Sequence, residues 1–292
     1  STLKYSAVTL VINRDKRTAD LTVQAPTGPQ PSTPDEIVKA GDQFWALRAF
    51  RELDDALLRL RVNEPEIGTI VVRTEGDGAA VVAIDRTLLA HRSHWLVREI
   101  IHFMKRTLKR VDLTSRTFFA FIETGSSFSG SLFELALAAD RSYMFHDDNE
   151  ENVIALSPMN FGPLTMSNGL TRLQTRFLDD GGKIAELEAL TAPLNAADAE
   201  EAGLVTFAPD EIDWDDEVRL AVEARAAFSP DAMTGLEANL RFAGPETMET
   251  KIFGRLTAWQ NWIFQRPNAV GDKGALKVYG QQGRPEFDWK RT

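Results

Sequence analysis

Residues 117–145 decide the fold and read TFFAFIETGSSFSGSLFELALAADRSYMF. The run from Thr117 to Ile122 is apolar and β-rich, which predicts a buried strand. The small residues of 125–130 predict a tight loop. The helix expected from Leu132 to Ala139 is apolar on all sides and should therefore be buried. A second strand follows at Arg141–Phe145, and a strand, loop, helix and strand in this order indicate an α/β fold.

The flanking sequence extends the same pattern in both directions. Before this stretch we expect a hairpin in which Val8, Leu10 and Ile12 share one face. Helices and strands should then alternate, and helices alone are expected from Trp214 onward. The predicted elements are a helix from near Asp35 to before Pro65, short apolar runs at Ile70–Val72 and Ala79–Ile84, a helix at Leu88–Leu108 and a helix at Asn195–Gly203.

Composition narrows the function classes. The chain has 292 residues, no cysteine and a formal net charge of −10. Without cysteine there is no disulfide, thiol nucleophile or thiolate metal site, which suits a cytoplasmic protein. The acidic balance argues against nucleic-acid binding. No apolar run is long enough to cross a membrane, and the histidines lack a diagnostic metal-ligand spacing, so we expect no metal.

Four stretches in order resemble the crotonase (enoyl-CoA hydratase/isomerase) superfamily. They are Val8–Asp15, the pair Glu52–Leu57 and Glu66–Val72, Glu134–Asp140 and Leu190–Val205. The resemblance implies a ββα spiral over residues 1–210 that receives an acyl-coenzyme A thioester, followed by a helical docking or oligomerisation region at 211–292. It implies no cofactor beyond the coenzyme A of the substrate.

A second set of motifs resembles the benzoyl-CoA-dihydrodiol lyases in particular. These motifs lie at 121–130, 139–144, 235–242, 244–250 and 257–264. The resemblance implies a part in opening the ring of oxidised benzoyl-CoA with release of formate, during aerobic benzoate degradation. Those lyases are about twice as long, and this chain resembles their C-terminal half. The expected partner is therefore a second crotonase-like half or another copy of the chain.

Glu134 is the candidate catalytic carboxylate. Its apolar neighbours predict burial, which raises the pKa of a carboxyl group and suits a general acid or base. A structural alternative stays open, because Ser131 and Glu134 have the spacing of a capping box.

The loop before that helix is the candidate oxyanion hole. The superfamily resemblance implies one N–H donor at Ser131, beside Gly130, and a second donor from a loop at Ala83, Ile84 and Asp85. Free N–H groups at a helix start suit an oxyanion. The residues at these positions are bulkier than those of the superfamily. A working oxyanion hole and a non-functional one therefore both remain possible interpretations of the sequence.

The superfamily's second glutamate is replaced by Pro158, so its two-carboxylate mechanism is not supported. Three hypotheses therefore stand: a catalytic half that uses Glu134 and Ser131, a structural half, or an acyl-CoA-binding module.

The helix expected at Glu246–Phe264 carries an apolar stripe that packs either within the chain or at an interface. In the tail, Lys273 and Lys277 either reach a phosphate or remain solvated.

Overall fold

A six-stranded sheet forms the centre of the molecule. The computed structural model describes residues 1–241, 244 and 246–291. The strands lie side by side in sequence order. The first three strands pair antiparallel, and from the third strand onward each strand pairs parallel with the next. Their bounds are β1 Thr2–Lys4, β2 Val8–Asn13, β3 Thr18–Gln24, β4 Thr69–Glu75, β5 Thr117–Ile122 and β6 Arg141–Met144.

Helices connect the parallel strands, as parallel pairing requires a crossover. In the first part of the chain they are α1 Pro34–Ala40, α2 Trp45–Asn63, α3 Gly78–Ala90, α4 Trp95–Asp112 and α5 Gly130–Ala138. After β6 they are α6 Arg172–Arg176, α7 Gly181–Glu188, α8 Ala196–Glu201, α9 Trp214–Ala226 and α10 Pro230–Leu240. The last are α11 Met248–Thr250, α12 Thr257–Ile263, α13 Pro267–Val270 and α14 Ala275–Val278. Short 3₁₀ turns lie at Gly41–Gln43 and Pro158–Phe161, and a π-helical segment at Lys251–Leu256 joins α11 to α12.

The sheet is covered on both faces. One face packs against α2, α3, α4 and α5 in the main core. The other carries a smaller cluster that α9 covers through Trp214, namely Val71, Phe119, Phe121, Tyr143 and Trp214. Strand β5 is buried along its whole length because it lies between these layers. Helix α5 is also buried at every residue, as its apolar sequence predicts.

The structure corrects three element predictions. The helix expected from Asp35 to before Pro65 is two helices, because Gly41 takes a φ of 55° that ends α1. The apolar run at Ala79–Ile84 is helical, since Asp77 caps α3 by accepting from the Ala79 N–H. The helix expected at Leu88–Leu108 is divided between α3 and α4 by a turn at residues 91–94.

In the described residues after 211 the regular elements are helices, and no helix follows Val278. The apolar stripe of the predicted helix at Glu246–Phe264 has no fully buried residue, and Phe253 is 70% exposed. In the tail, Lys273 pairs with Glu286, and both side chains are exposed. Phe242 and Pro245, which belong to the motifs at 235–242 and 244–250, lie outside the described residues. Among the described residues, no helix is both long and apolar enough to cross a membrane.

Candidate functional site

The candidate site lies where α5 begins. Strands β4 and β5 are parallel neighbours, so the helices that follow them, α3 and α5, start at the same edge of the sheet. Gly130 opens α5 with a φ of 49°, a left-handed conformation that favours glycine. A β-carbon on Gly130 would lie 2.1 Å from a carboxylate oxygen of Asp85. The chain therefore approaches Asp85 as closely as a glycine allows.

The Asp85 carboxylate occupies the predicted oxyanion position. Its Oδ2 atom accepts hydrogen bonds of 2.7 Å from both the Ser131 backbone N–H and the Ser157 hydroxyl. Asp85 and Ser131 are both 0% exposed. Because a carboxylate oxygen already holds the Ser131 N–H, a thioester oxygen cannot use this donor unless Asp85 moves.

The predicted second donor is not present in the form expected. The interpretation of Ala83, Ile84 and Asp85 as a loop is wrong, because all three lie inside α3. Backbone N–H groups in a helix interior donate to carbonyls four residues earlier. Ala83 faces solvent, whereas the Ile84 side chain is buried in the core. Residues 83–85 were predicted to supply a free N–H group to the site. They supply the side-chain carboxylate of Asp85.

Burial changes the acidity of Asp85. Desolvation disfavours its charged form and raises its pKa from 3.8 to about 6, although hydrogen bonds from Ser157 and Ser131 oppose the shift. The second oxygen, Oδ1, is buried without a hydrogen-bond partner among the described residues, and so is the Ser131 hydroxyl. Burial of the Asp85 carboxyl group at this turn therefore reduces the stability of the fold.

Glu134, one turn further along α5, is held by two side chains. Its Oε1 accepts from the Asn160 amide and its Oε2 from the Arg172 guanidinium, each at 2.7 Å. The capping-box alternative is wrong, because Ser129 is the N-cap residue and Glu134 bonds outside its own helix. Glu134 is 1% exposed, so solvent hardly reaches its carboxylate.

Arg172 joins two buried carboxylates. It donates to both oxygens of Asp112, at 3.1 Å and 2.6 Å, and to Glu134. Burial raises the pKa of Glu134, while the charge of Arg172 opposes that shift and the neighbouring Asp112 adds to it. A folded protein that contains a buried ion pair of this kind is strongly destabilised when one partner is removed.

A short 3₁₀ turn connects the two parts of the site. Ser157 caps this turn, and the Asn160 side chain accepts from the Ser157 N–H. The Asn160 amide nitrogen also donates to the Gly130 carbonyl at 2.9 Å, besides its bond to Glu134. Pro158, at the position of the superfamily's second glutamate, begins this turn. Asp85, the α5 turn and Glu134 therefore form one continuous buried hydrogen-bond network.

Sequence reasoning missed the residues that hold this network together. Asp112 and Arg172 come from elements far apart in sequence, and neither has a motif that links it to Glu134. The only signal was the pair Ser157 and Asn160, polar residues close to Pro158, which stands at the position of the expected second glutamate. Among the described residues there is also no group of three or more His, Asp or Glu side chains placed to hold a metal ion.

Solved structures define the fold class. The enoyl-CoA hydratase from Geobacillus kaustophilus HTA426 matches with a TM-score of 0.70 at 16% sequence identity, over 99% of each chain. An enoyl-CoA hydratase from Mycobacterium smegmatis matches with a TM-score of 0.67 at 14% identity, over 97% of this chain and 99% of that one. The chain therefore has the crotonase fold, which confirms the predicted fold class.

A curated relative defines the resemblance more narrowly. Benzoyl-CoA-dihydrodiol lyase from Aromatoleum evansii is 52% identical over 289 residues, which are 99% of this chain and 52% of the relative. This match confirms the predicted resemblance to the benzoyl-CoA-dihydrodiol lyases. The chain spans about half the length of that relative, and its place in the C-terminal half stays a prediction. No protein-family model matches the chain.

Proposed function

We propose that this chain is a crotonase-fold half of a lyase that opens the ring of oxidised benzoyl-CoA and releases formate, and that this half is structural. The first part of the proposal is supported by the 52% identity to benzoyl-CoA-dihydrodiol lyase over nearly the whole chain. The second part is supported by the state of the site at the start of α5.

The observation that carries the structural role is the bond from the Ser131 N–H to Asp85. An oxyanion hole works because its donors are free until negative charge develops on the substrate. Here a carboxylate that the chain itself supplies holds the donor at 2.7 Å. A substrate oxygen would have to displace Asp85 from both Ser131 and Ser157, with no solvent beside it to receive the charge.

Glu134 supports the same proposal. A general acid or base must reach the proton that it transfers, and Glu134 is 1% exposed and bonded to Arg172 and Asn160. Both of its carboxylate oxygens are thus hydrogen-bonded to side chains inside the fold. Its raised pKa is the one property that favours the alternative, in which this half has its own catalytic carboxylate.

The proposed partner is a second crotonase-like half, which would carry the catalytic carboxylates and bind the acyl-CoA substrate. Support comes from the length of the relative, of which this chain matches 52%. The alternative partner under this proposal is a second copy of this chain. A cytoplasmic location fits the absence of cysteine.

Ring cleavage of oxidised benzoyl-CoA tests the proposal. The chain is assayed alone and then mixed with the half of the Aromatoleum evansii lyase that it does not match. We expect no turnover by the chain alone and turnover by the mixture, because the reacting groups lie in the other half.

Substitutions separate the structural role from the catalytic alternative. Glu134→Gln keeps the shape of the side chain, and Glu188→Gln on exposed α7 is the matched control. If the structural proposal is right, the mixture with Glu134→Gln turns over at the rate of the control once both are shown to be folded. Turnover by the chain alone that vanishes with Glu134→Gln would show that this half is catalytic.

A further inference from the structure

A cavity lies at the opposite end of α5 from the Asp85 turn. It has a volume of about 240 Å³ and is enclosed by the end of α5, by α6 and by the end of α10. Helix α5 has nine residues, so its two ends are about 13 Å apart. This cavity shares Asp112 and Arg172 with the Glu134 network, but it lies away from the Asp85 turn, at the other end of α5.

Two buried hydrogen-bond donors of this cavity lack partners among the described residues, and a third residue, Arg176, has unused donors. The Thr175 hydroxyl and the Arg241 Nε atom are both buried without a hydrogen bond. Arg176 makes one side-chain hydrogen bond, from Nε to the Gly203 carbonyl, which leaves its two terminal nitrogens unused. Buried polar groups in native proteins are nearly always satisfied, so the Thr175 hydroxyl and the Arg241 Nε atom need an explanation.

The charges around the cavity leave Arg176 without a counter-ion in the part of the chain that the structure describes. Asp112 also lines the cavity, but both of its oxygens are bonded to Arg172. Asp140 accepts from the Phe118 N–H and lies 3.6 Å from Arg241. Desolvation lowers the pKa of Arg176, as expected for a partly buried cation with no anion beside it.

We propose that this cavity binds a small oxyanion, with Arg176 as its counter-ion and Thr175 and Arg241 as further hydrogen-bond donors. A guanidinium group matches the two oxygens of a carboxylate or phosphate group and binds them in a bidentate manner. The cavity volume suits an anion of a few heavy atoms and is smaller than most sites for drug-sized ligands. The proposal does not rest on the proposed lyase role.

Sodium acetate and inorganic phosphate are the probes, titrated into the full chain by calorimetry at constant ionic strength set with sodium chloride. We expect at least one probe to bind, and the tighter probe identifies a carboxylate or a phosphate as the preferred ligand. Absence of binding by both probes up to about 10 mM would overturn the proposal.

Two variants and one control locate the binding. Thr175→Val removes an unused hydroxyl, so it should not harm folding, and it should weaken binding about tenfold, or about 1.4 kcal/mol, the size of one hydrogen bond to a charged group. Arg176→Gln should abolish binding. Arg92→Gln, an exposed arginine on the turn before α4, should bind as the unmodified chain does. If Thr175→Val binds with unchanged affinity, the anion lies elsewhere and the proposal is wrong.

Discussion

The buried carboxyl group of Asp85 makes the stability of the chain depend on pH in a defined window. Desolvation raises its pKa from 3.8 in the unfolded chain to about 6 in the folded one. Between these values the unfolded chain loses its proton first, so the folded state binds more protons and its stability falls as the pH rises. Below the window both states are protonated, and above it both are ionised.

The magnitude follows from the size of the shift. A change of about 2 pKa units corresponds to about 3 kcal/mol, at about 1.4 kcal/mol for each unit. We therefore expect Asp85 to remove about 3 kcal/mol from the free energy of unfolding between about pH 3.5 and pH 6.5. Asp85→Asn has nearly the same shape but does not titrate, so this part of the pH dependence should disappear in the variant.

Urea denaturation at pH values from 3 to 8 measures the effect, with Asp179→Asn at an exposed position as the control. The difference in unfolding free energy between the unmodified chain and Asp85→Asn isolates this group from the other carboxylates. We expect that difference to change by about 3 kcal/mol across the window, with the unmodified chain losing stability as the pH rises. A difference that is constant with pH, or that changes in the opposite direction, would refute the assignment of Asp85 as a desolvated acid.

Three further predictions are measured by urea denaturation. Arg172→Met should cost about 3–5 kcal/mol, because it leaves two buried carboxylates unpaired; a cost under about 1 kcal/mol would contradict this. Gly130→Ala should cost at least about 1–3 kcal/mol, since its β-carbon would meet Asp85, whereas Gly162→Ala, which has open space, should be nearly neutral; equal effects would contradict the close approach. Glu237 is a buried residue of α10, and burial raises its pKa to about 8, so Glu237→Gln should remove a fall in stability between about pH 5 and pH 8; an unchanged pH profile would contradict that shift.

The strands and the central helix could be predicted because their signals are local. Strand β5 is apolar throughout, and α5 is apolar on all sides, so both patterns required burial on every face. The buried position of Glu134 followed from the same pattern. These elements depend on the chemistry of consecutive residues, which the sequence displays directly.

The closure of the site could not be predicted, because it depends on residues distant in sequence. Asp85 reaches Ser131 only because the run at Ala79–Ile84 is a helix, and the β-branched residues there suggested a strand. Packing of α3 against α5 and the Asp77 cap outweigh that local preference. The pairing of Arg172 with Glu134 likewise joins residues 38 positions apart.

Nuclear magnetic resonance of the Ser131 amide gives the most direct test of the central claim, that Asp85 already fills the thioester position. The amide signal of the ¹⁵N-labelled chain is followed while benzoyl-CoA is added. The account predicts that this signal does not move, because its N–H stays bonded to the Asp85 carboxylate. A saturable shift of the Ser131 signal at increasing benzoyl-CoA would mean that the thioester oxygen reaches this donor, and the structural role proposed for this half would be wrong.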